Sequence, residues 1–212
     1  MPKILAIETS TAACSVALDV DGKVSQKFEI IPRGHASVLL LWINELLTQA
    51  KATLKDLDAI AFGCGPGGFT GVRIGVGVIQ GLALGANLAL ISISSLRALA
   101  QSAFNDHGIK QALIIQDAKM GEVYWGVYAS DSHGLMQPVT PDQLSQMSAI
   151  TSPEKGDWVR VGDMTDFQPC YPTASNVLKL AQKKYEAGEI LDVSEALPVY
   201  LRGKDAWKKS QP

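Results

Sequence analysis

The sequence has little with which to bind a metal or close a disulfide. Its three cysteines, Cys14, Cys64 and Cys170, are odd in number, far apart and without a C-x-x-C pair, so neither a disulfide framework nor a zinc site is indicated. They read as small core residues of a protein from a reduced compartment. The three histidines, His35, His107 and His133, are equally scattered, and Leu39 stands where an H-x-x-x-H pair would need the second histidine. No Ser–His–acid set or nucleophile elbow can be drawn either. His35 is expected as a polar cap on the first helix. Charge is sparse: 19% of residues are charged and the net charge is -2, without the basic surplus of a protein that grips nucleic acid by itself. One short basic end, Arg202, Lys204, Lys208 and Lys209, is expected to be a solvated, frayed tail. Any link to RNA is therefore expected to be indirect. The opening MPKILAIETS is not expected to be a signal peptide, because Glu8 interrupts its short apolar run.

One uncharged run, 74–96, is long enough to span a bilayer. It contains Gly75, Gly77, Gly81 and Gly85, with Gln80, Asn87 and three serines, so a helix followed by a buried strand is expected in place of a membrane span. With 212 residues, 47% of them hydrophobic, the chain suits one large domain or two small ones of globular α/β type.

Hydrophobic patterning predicts strands at 3–8, 15–20 and 23–31, with Asp21-Gly22 as a hairpin turn. A helix over 36–50 follows, then a strand at 57–64, a loop at 65–68, a helix over 70–85, a strand at 87–93 and a helix over 94–104 capped by Ser94 or Ser95. Residues 105–108 look like a boundary. Beyond it strands are predicted at 112–117, 122–129, 135–139 and 158–161, with helices over 141–147 and 174–187. Strands come first and helices after in each half. That order predicts two related α/β domains, 1–105 and 106–212, with ligands at strand carboxyl ends in the cleft between them.

The segment GCGPGGFTGVRIG, 63–75, follows a strand and opens a helix. Two uses fit it. Its glycines and the free N–H groups of the helix start resemble a phosphate cradle, although no Gly-Lys-Ser/Thr closes it; alternatively it serves packing or an interface, with Thr70 as the helix N-cap. The helix itself favours the second use. Val72, Val76, Ile79 and Ala83 form a core stripe, Arg73, Gly77, Gln80 and Leu84 form another, and Gly71, Gly75, Gly81 and Gly85 widen the bare region. Glycine costs roughly 1 kcal/mol against alanine at each interior helix site. Such a face calls for a second helix packed very close, from this chain or a partner.

Glu8-Thr9-Ser10, at the end of the first strand, resembles the turn by which actin-like ATPases present a metal-linked acid and bind phosphate. In those proteins the acid is Asp with a glycine close behind; here neither holds. Asp117-Ala118-Lys119 is a counterpart in the second half, also without the glycine. Two altered turns argue against independent ATP hydrolysis, and Glu8 has a plainer use as a cap or as a partner of Arg73.

Together ILAIETSTAACSVAL at 4–18, RGHASVLLLWINELL at 33–47, GPGGFTGVRIGVGVIQGLA at 65–83, DAKMGEVYWGVY at 117–128 and PVYLRGKDAW at 198–207 resemble the TsaB (YeaZ) family along most of the chain. The family usually reads Asp-Thr-Ser, GPGSFTG and DAR where this chain has Glu8, Gly68 and Lys119. The resemblance implies the actin-like ATPase (ASKHA) fold in two halves. It implies a cytoplasmic protein with no catalytic residues of its own. This protein would pair with the related TsaD subunit, which transfers threonylcarbamoyl to adenosine 37 of tRNAs, and the P-loop ATPase TsaE would join them. It implies a homodimer when alone, tRNA met only through the complex, and no metal or cofactor beyond a nucleotide at the subunit junction. It places the partner interface on Gly65, Pro66, Gly67, Gly68, Phe69, Thr70, Gly71, Arg73, Gly75, Gly77, Gln80, Gly81 and Leu84. A vestigial nucleotide site falls on Glu8, Thr9, Ser10, Asp117 and Lys119. Three other readings remain: a stand-alone actin-fold ATPase or small-molecule kinase, a metal-dependent glycoprotease, and a homodimer with a separate regulatory role.

Overall fold

The computed structural model describes residues 1–163 and 168–202. β1 (Ile4–Glu8) lies at the centre of a five-stranded sheet, between the antiparallel β2 (Ala13–Val20) and the parallel β4 (Ala59–Gly63). β3 (Lys23–Ile30) and β5 (Ala89–Ile93) form the edges. The predicted hairpin forms at Asp21 and Gly22, whose φ values of 56° and 82° are the two positive angles that a two-residue turn of this twist needs.

Every residue of β1 is buried, because helices cover both faces of the sheet. Leu5 and Ile7 face α1 (His35–Gln49) and α2 (Phe69–Ala86), where they meet Leu39, Ile43, Leu46, Val72, Val76 and Ile79. Ile4 and Ala6 point the other way, to Val177, Leu180 and Ala181 of α4 (Ala174–Glu186). The predicted core stripe of α2 is thus in place. By length and composition α2 could cross a membrane; here its core stripe packs on the first sheet.

The second sheet repeats the plan. β6 (Gln111–Lys119) lies between the antiparallel β7 (Glu122–Ser130) and the parallel β10 (Val159–Gly162). β8 (Met136–Pro138) and β11 (Gln168–Pro169) flank them. Read from β8, the order 8-7-6-10-11 matches 3-2-1-4-5 in the first sheet, so the repeated order of elements is a repeated topology. α3 (Ser95–His107), which leaves the first sheet, packs Leu96, Leu99, Ala100 and Ala103 on the second; α4, which leaves the second, packs on the first. The strands of the two sheets part between 93 and 111; the expected boundary at 105–108 falls on the end of α3, and α3 and α4 each pack on the other half's sheet. Asn176 joins them through Ser102 Oγ at 2.8 Å.

Three local expectations differ. Residues 141–147 do not form a helix: β9 (Gln143–Gln146) pairs with β7. β8 covers only residues 128–130 of the nine-residue β7, which leaves 122–125 needing a partner, and pairing there outweighs local pattern. Thr70 does not cap α2; Gly68 occupies the N-cap position and no side chain caps it. His35 does not cap α1; it is 5% exposed, and its Nε2 sits 3.0 Å from the Thr11 carbonyl and 3.2 Å from the Ala13 carbonyl. Carbonyls only accept, so Nε2 carries the proton and pins the β1–β2 loop. The cap on α3 is Ser94, whose Oγ accepts from Arg97 N.

Candidate partner face and inter-lobe cleft

Glu8 closes β1 with a carboxylate 1% exposed. It accepts from Ser10 N at 2.6 Å and from Ser95 Oγ at 2.9 Å. Burial pushes its carboxyl above the ordinary glutamate value, and the bonds from Ser10 and Ser95 offset this only in part. Arg73 does not pair with it. Arg73 lies on the outside of α2, stacked 3.6 Å over the Phe69 ring, with Nε donating to Tyr200 Oη at 2.7 Å.

The 8–10 turn and the glycine loop interlock. Thr9 Oγ1 donates to the Gly71 carbonyl at 2.9 Å and Gly68 N donates to the Ser10 carbonyl at 2.7 Å. A Cβ at Gly67 would sit 2.6 Å from Ser10, and one at Gly75 would sit 2.5 Å from Thr9 Oγ1. This corrects part of the expected interface: Gly65, Pro66 and Gly75 are buried in the chain's own packing. The phosphate-cradle reading loses ground as well, because Gly68 N is spent on Ser10.

The outward side of α2 differs. A Cβ on Gly77, Gly81 or Gly85 would meet none of the described residues within 4 Å, and Leu84 is 75% exposed. Phe69, Thr70 and Arg73 are exposed at the helix start. Gln80 is half-buried and donates to the Ala196 carbonyl at 2.8 Å, so it holds the C-terminal segment. That segment adds Leu197, Val199 and Tyr200, all exposed, to the same side. In the sequence, the apolar Val199, Tyr200 and Leu201 after Pro198 are the local signal of this segment.

In the second half, Asp117 and Lys119 are exposed and paired at 2.5 Å, which holds the Asp117 carboxyl below the usual range. They line a cavity of about 610 Å³ with Phe69, Arg73, Tyr200 and Arg202. Glu8, Thr9 and Ser10 do not line it, so the two altered turns do not share one open surface. Arg202, expected in a frayed tail, is fixed: it donates to the carbonyls of Ala118 and Lys119 and pairs with Glu122 at 2.7 Å. Lys204, Lys208 and Lys209 lie outside the described residues. Deeper in, Asp142 accepts from Ser94 Oγ at 2.5 Å and from Tyr128 Oη, and burial pushes both acidic groups up. No sequence motif marked this cluster. Among the described residues no three His, Cys, Asp or Glu side chains converge as metal ligands.

A family model described as TsaD, tRNA N6-adenosine threonylcarbamoyltransferase, matches residues 27–194. The tRNA threonylcarbamoyladenosine biosynthesis protein TsaB of Escherichia coli K12 is 39% identical over 98% of this chain and 97% of its own length. The protein of the same name from Haemophilus influenzae is 37% identical over 97% and 96%. The solved structure of YeaZ from Pseudomonas aeruginosa superposes with a TM-score of 0.88 at 38% identity, covering 95% of this chain and 100% of that one. A second Pseudomonas aeruginosa structure, described as similar to peptidase YeaZ, gives 0.89 at 38% identity over 95% and 100%. With two sheets of matching topology, these likenesses define the actin-like α/β fold. Near-complete coverage by such relatives, together with the match to the TsaD model over most of its length, makes this chain a member of the TsaB (YeaZ) family.

Proposed function

We propose that this chain is a non-catalytic partner subunit in tRNA threonylcarbamoyladenosine biosynthesis, which holds a TsaD-type transferase in its competent arrangement. One observation carries the reading: the outward face of α2, where Gly77, Gly81 and Gly85 leave backbone open beside an exposed Leu84. Bare helix costs a monomer stability and contributes only when another helix covers it. On this reading the chain pairs through α2 with the transferase, or with a second copy of itself when alone. A TsaE-type ATPase joins the pair, tRNA is met through the complex, and the site of action is the cytoplasm. Its contribution is binding energy coupled to a conformational state. A nucleotide would belong to the junction between subunits; Glu8, buried and already accepting from Ser10 N and Ser95 Oγ, supports that over a site within this chain.

The test is omission. Threonylcarbamoylation of tRNA is reconstituted from purified parts with and without this chain, and the chain alone is assayed for ATP turnover. Collapse on omission with no turnover by the lone chain is the expected result. Full modification without it, or ATP hydrolysis by the chain alone, would overturn the reading.

A further inference from the structure

The segment after α4 returns along the first half and ends on the second. Leu191 pairs with Leu90 at the edge of β5, the Ala196 carbonyl accepts from Gln80, and Val199 N donates to the Cys64 carbonyl at 2.8 Å. Tyr200 lies against Phe69, ring centroids 5.9 Å apart, and accepts from Arg73. Two residues later Arg202 reaches the other half. Its Nη2 donates to the Ala118 carbonyl at 3.0 Å and the Lys119 carbonyl at 3.1 Å, and pairs with Glu122.

The turn that Arg202 holds is closed within the β6–β7 hairpin by the Lys119–Glu122 pair, and Lys119 N donates to Asp117 Oδ1 at 2.7 Å. Lys119, Met120 and Gly121 have φ values of 64°, 59° and 77°. Lys and Met are disfavoured at such angles, because they lack the short polar side chain with which Asn or Asp tolerates them. Strained backbone of this kind persists where surrounding contacts over-determine it. The Arg202 side chain is 16% exposed, and it lines the cavity together with Phe69 and Arg73.

We infer that residues 197–202 are a clasp: Arg202 locks the 118–121 turn and closes the two halves over the cavity, and a helix packed along α2 bears on the clasp through Tyr200. The second clause rests on the partner reading above; the first does not. In the chain alone, Arg202→Ala is expected to raise amide exchange of residues 118–122 by about tenfold or more, as loss of charge-assisted bonds at a strained turn should. Arg202→Lys should fall between the two, and exchange in β1 and β4 should stay unchanged. Spin labels at Thr70→Cys and Gln143→Cys, with Cys170→Ser, should report a longer and broader separation in Arg202→Ala. Unchanged turn exchange or an unchanged separation would overturn the clasp. Glu122→Gln, which removes only the ion pair, gives the same readout should Arg202→Ala fail to fold. Addition of the transferase should slow turn exchange in the wild type and not in Arg202→Ala. Equal slowing in both, or none in the wild type, removes the coupling and leaves the clasp to the first two measurements.

Discussion

Thr9 Oγ1 donates to the carbonyl of Gly71 at 2.9 Å, and a Cβ built on Gly71 would fall on the carbonyl oxygen of Thr9. Position 71 is glycine because two backbones meet there. Position 77 is glycine with nothing among the described residues to require it. Gly71→Ala should therefore destabilise by about 1–3 kcal/mol, as overpacking does. Gly77→Ala should stabilise the monomer by about 0.5–1 kcal/mol. Denaturant midpoints measured at the lowest concentration that gives signal separate the two; a destabilised Gly77→Ala would mean that face is already covered.

Gly77→Leu should abolish pairing through α2 while leaving the monomer folded, and Leu84→Asp should do the same from the next turn. Size-exclusion profiles with the transferase, and of the chain alone, read this out. Normal elution as a pair by both variants would place the interface elsewhere. Gln80→Lys is a less clean probe, because Gln80 also binds the Ala196 carbonyl.

Glu8 links stability to pH. Its carboxyl is raised by burial above the ordinary 4.5. Below 4.5 both folded and unfolded chains carry the proton and the full contribution is present. As pH climbs through the raised folded value the unfolded chain has released its proton, and the contribution is lost. Glu8→Gln removes the charge and keeps one acceptor oxygen, for Ser10 N, while its amide N–H group faces Ser95 Oγ as a donor. The stability difference between Glu8→Gln and wild type should thus move in favour of the variant from pH 4.5 upward and level off above the folded value. A difference independent of pH across that range would show that Glu8 is not buried as an acid.

The thiols should be quiet. Burial pushes Cys14 and Cys64 up to about 12 and Cys170 to about 11, so almost none is thiolate at neutral pH. Alkylation of the native protein at pH 8 should be slow at all three and reach the half-buried Cys170 first. Rapid modification of Cys14 or Cys64 would mean that the first core opens readily.

The first sheet was legible because β1, β2 and β4 are buried along nearly their whole length and its hairpin turn is written in Asp21-Gly22. The stripe Val72, Val76, Ile79 and Ala83 named the buried side of α2 by spacing alone. β9 was not legible: Pro141 and the residues after it suit a helix start, and only the unpaired half of β7 explains a strand there. Glu8 was marked as unusual by type, and Ser10 with it, but Ser95 was not; the start of α3 brings Ser95 to Glu8 across 87 residues.

The sequence by itself determined the class of fold, the repeated order of elements and the family. Each of these is carried by local pattern or by motifs that stay together along the chain. Tertiary structure alone decided which glycines face inward and which face out, because Gly71, Gly75, Gly77 and Gly81 read alike until Thr9 packs against the first two. It alone placed Arg202 on the carbonyl of Lys119, 83 residues away in the chain. A contact between residues so distant in sequence leaves no periodicity to read, and it exists only once both halves have folded and met.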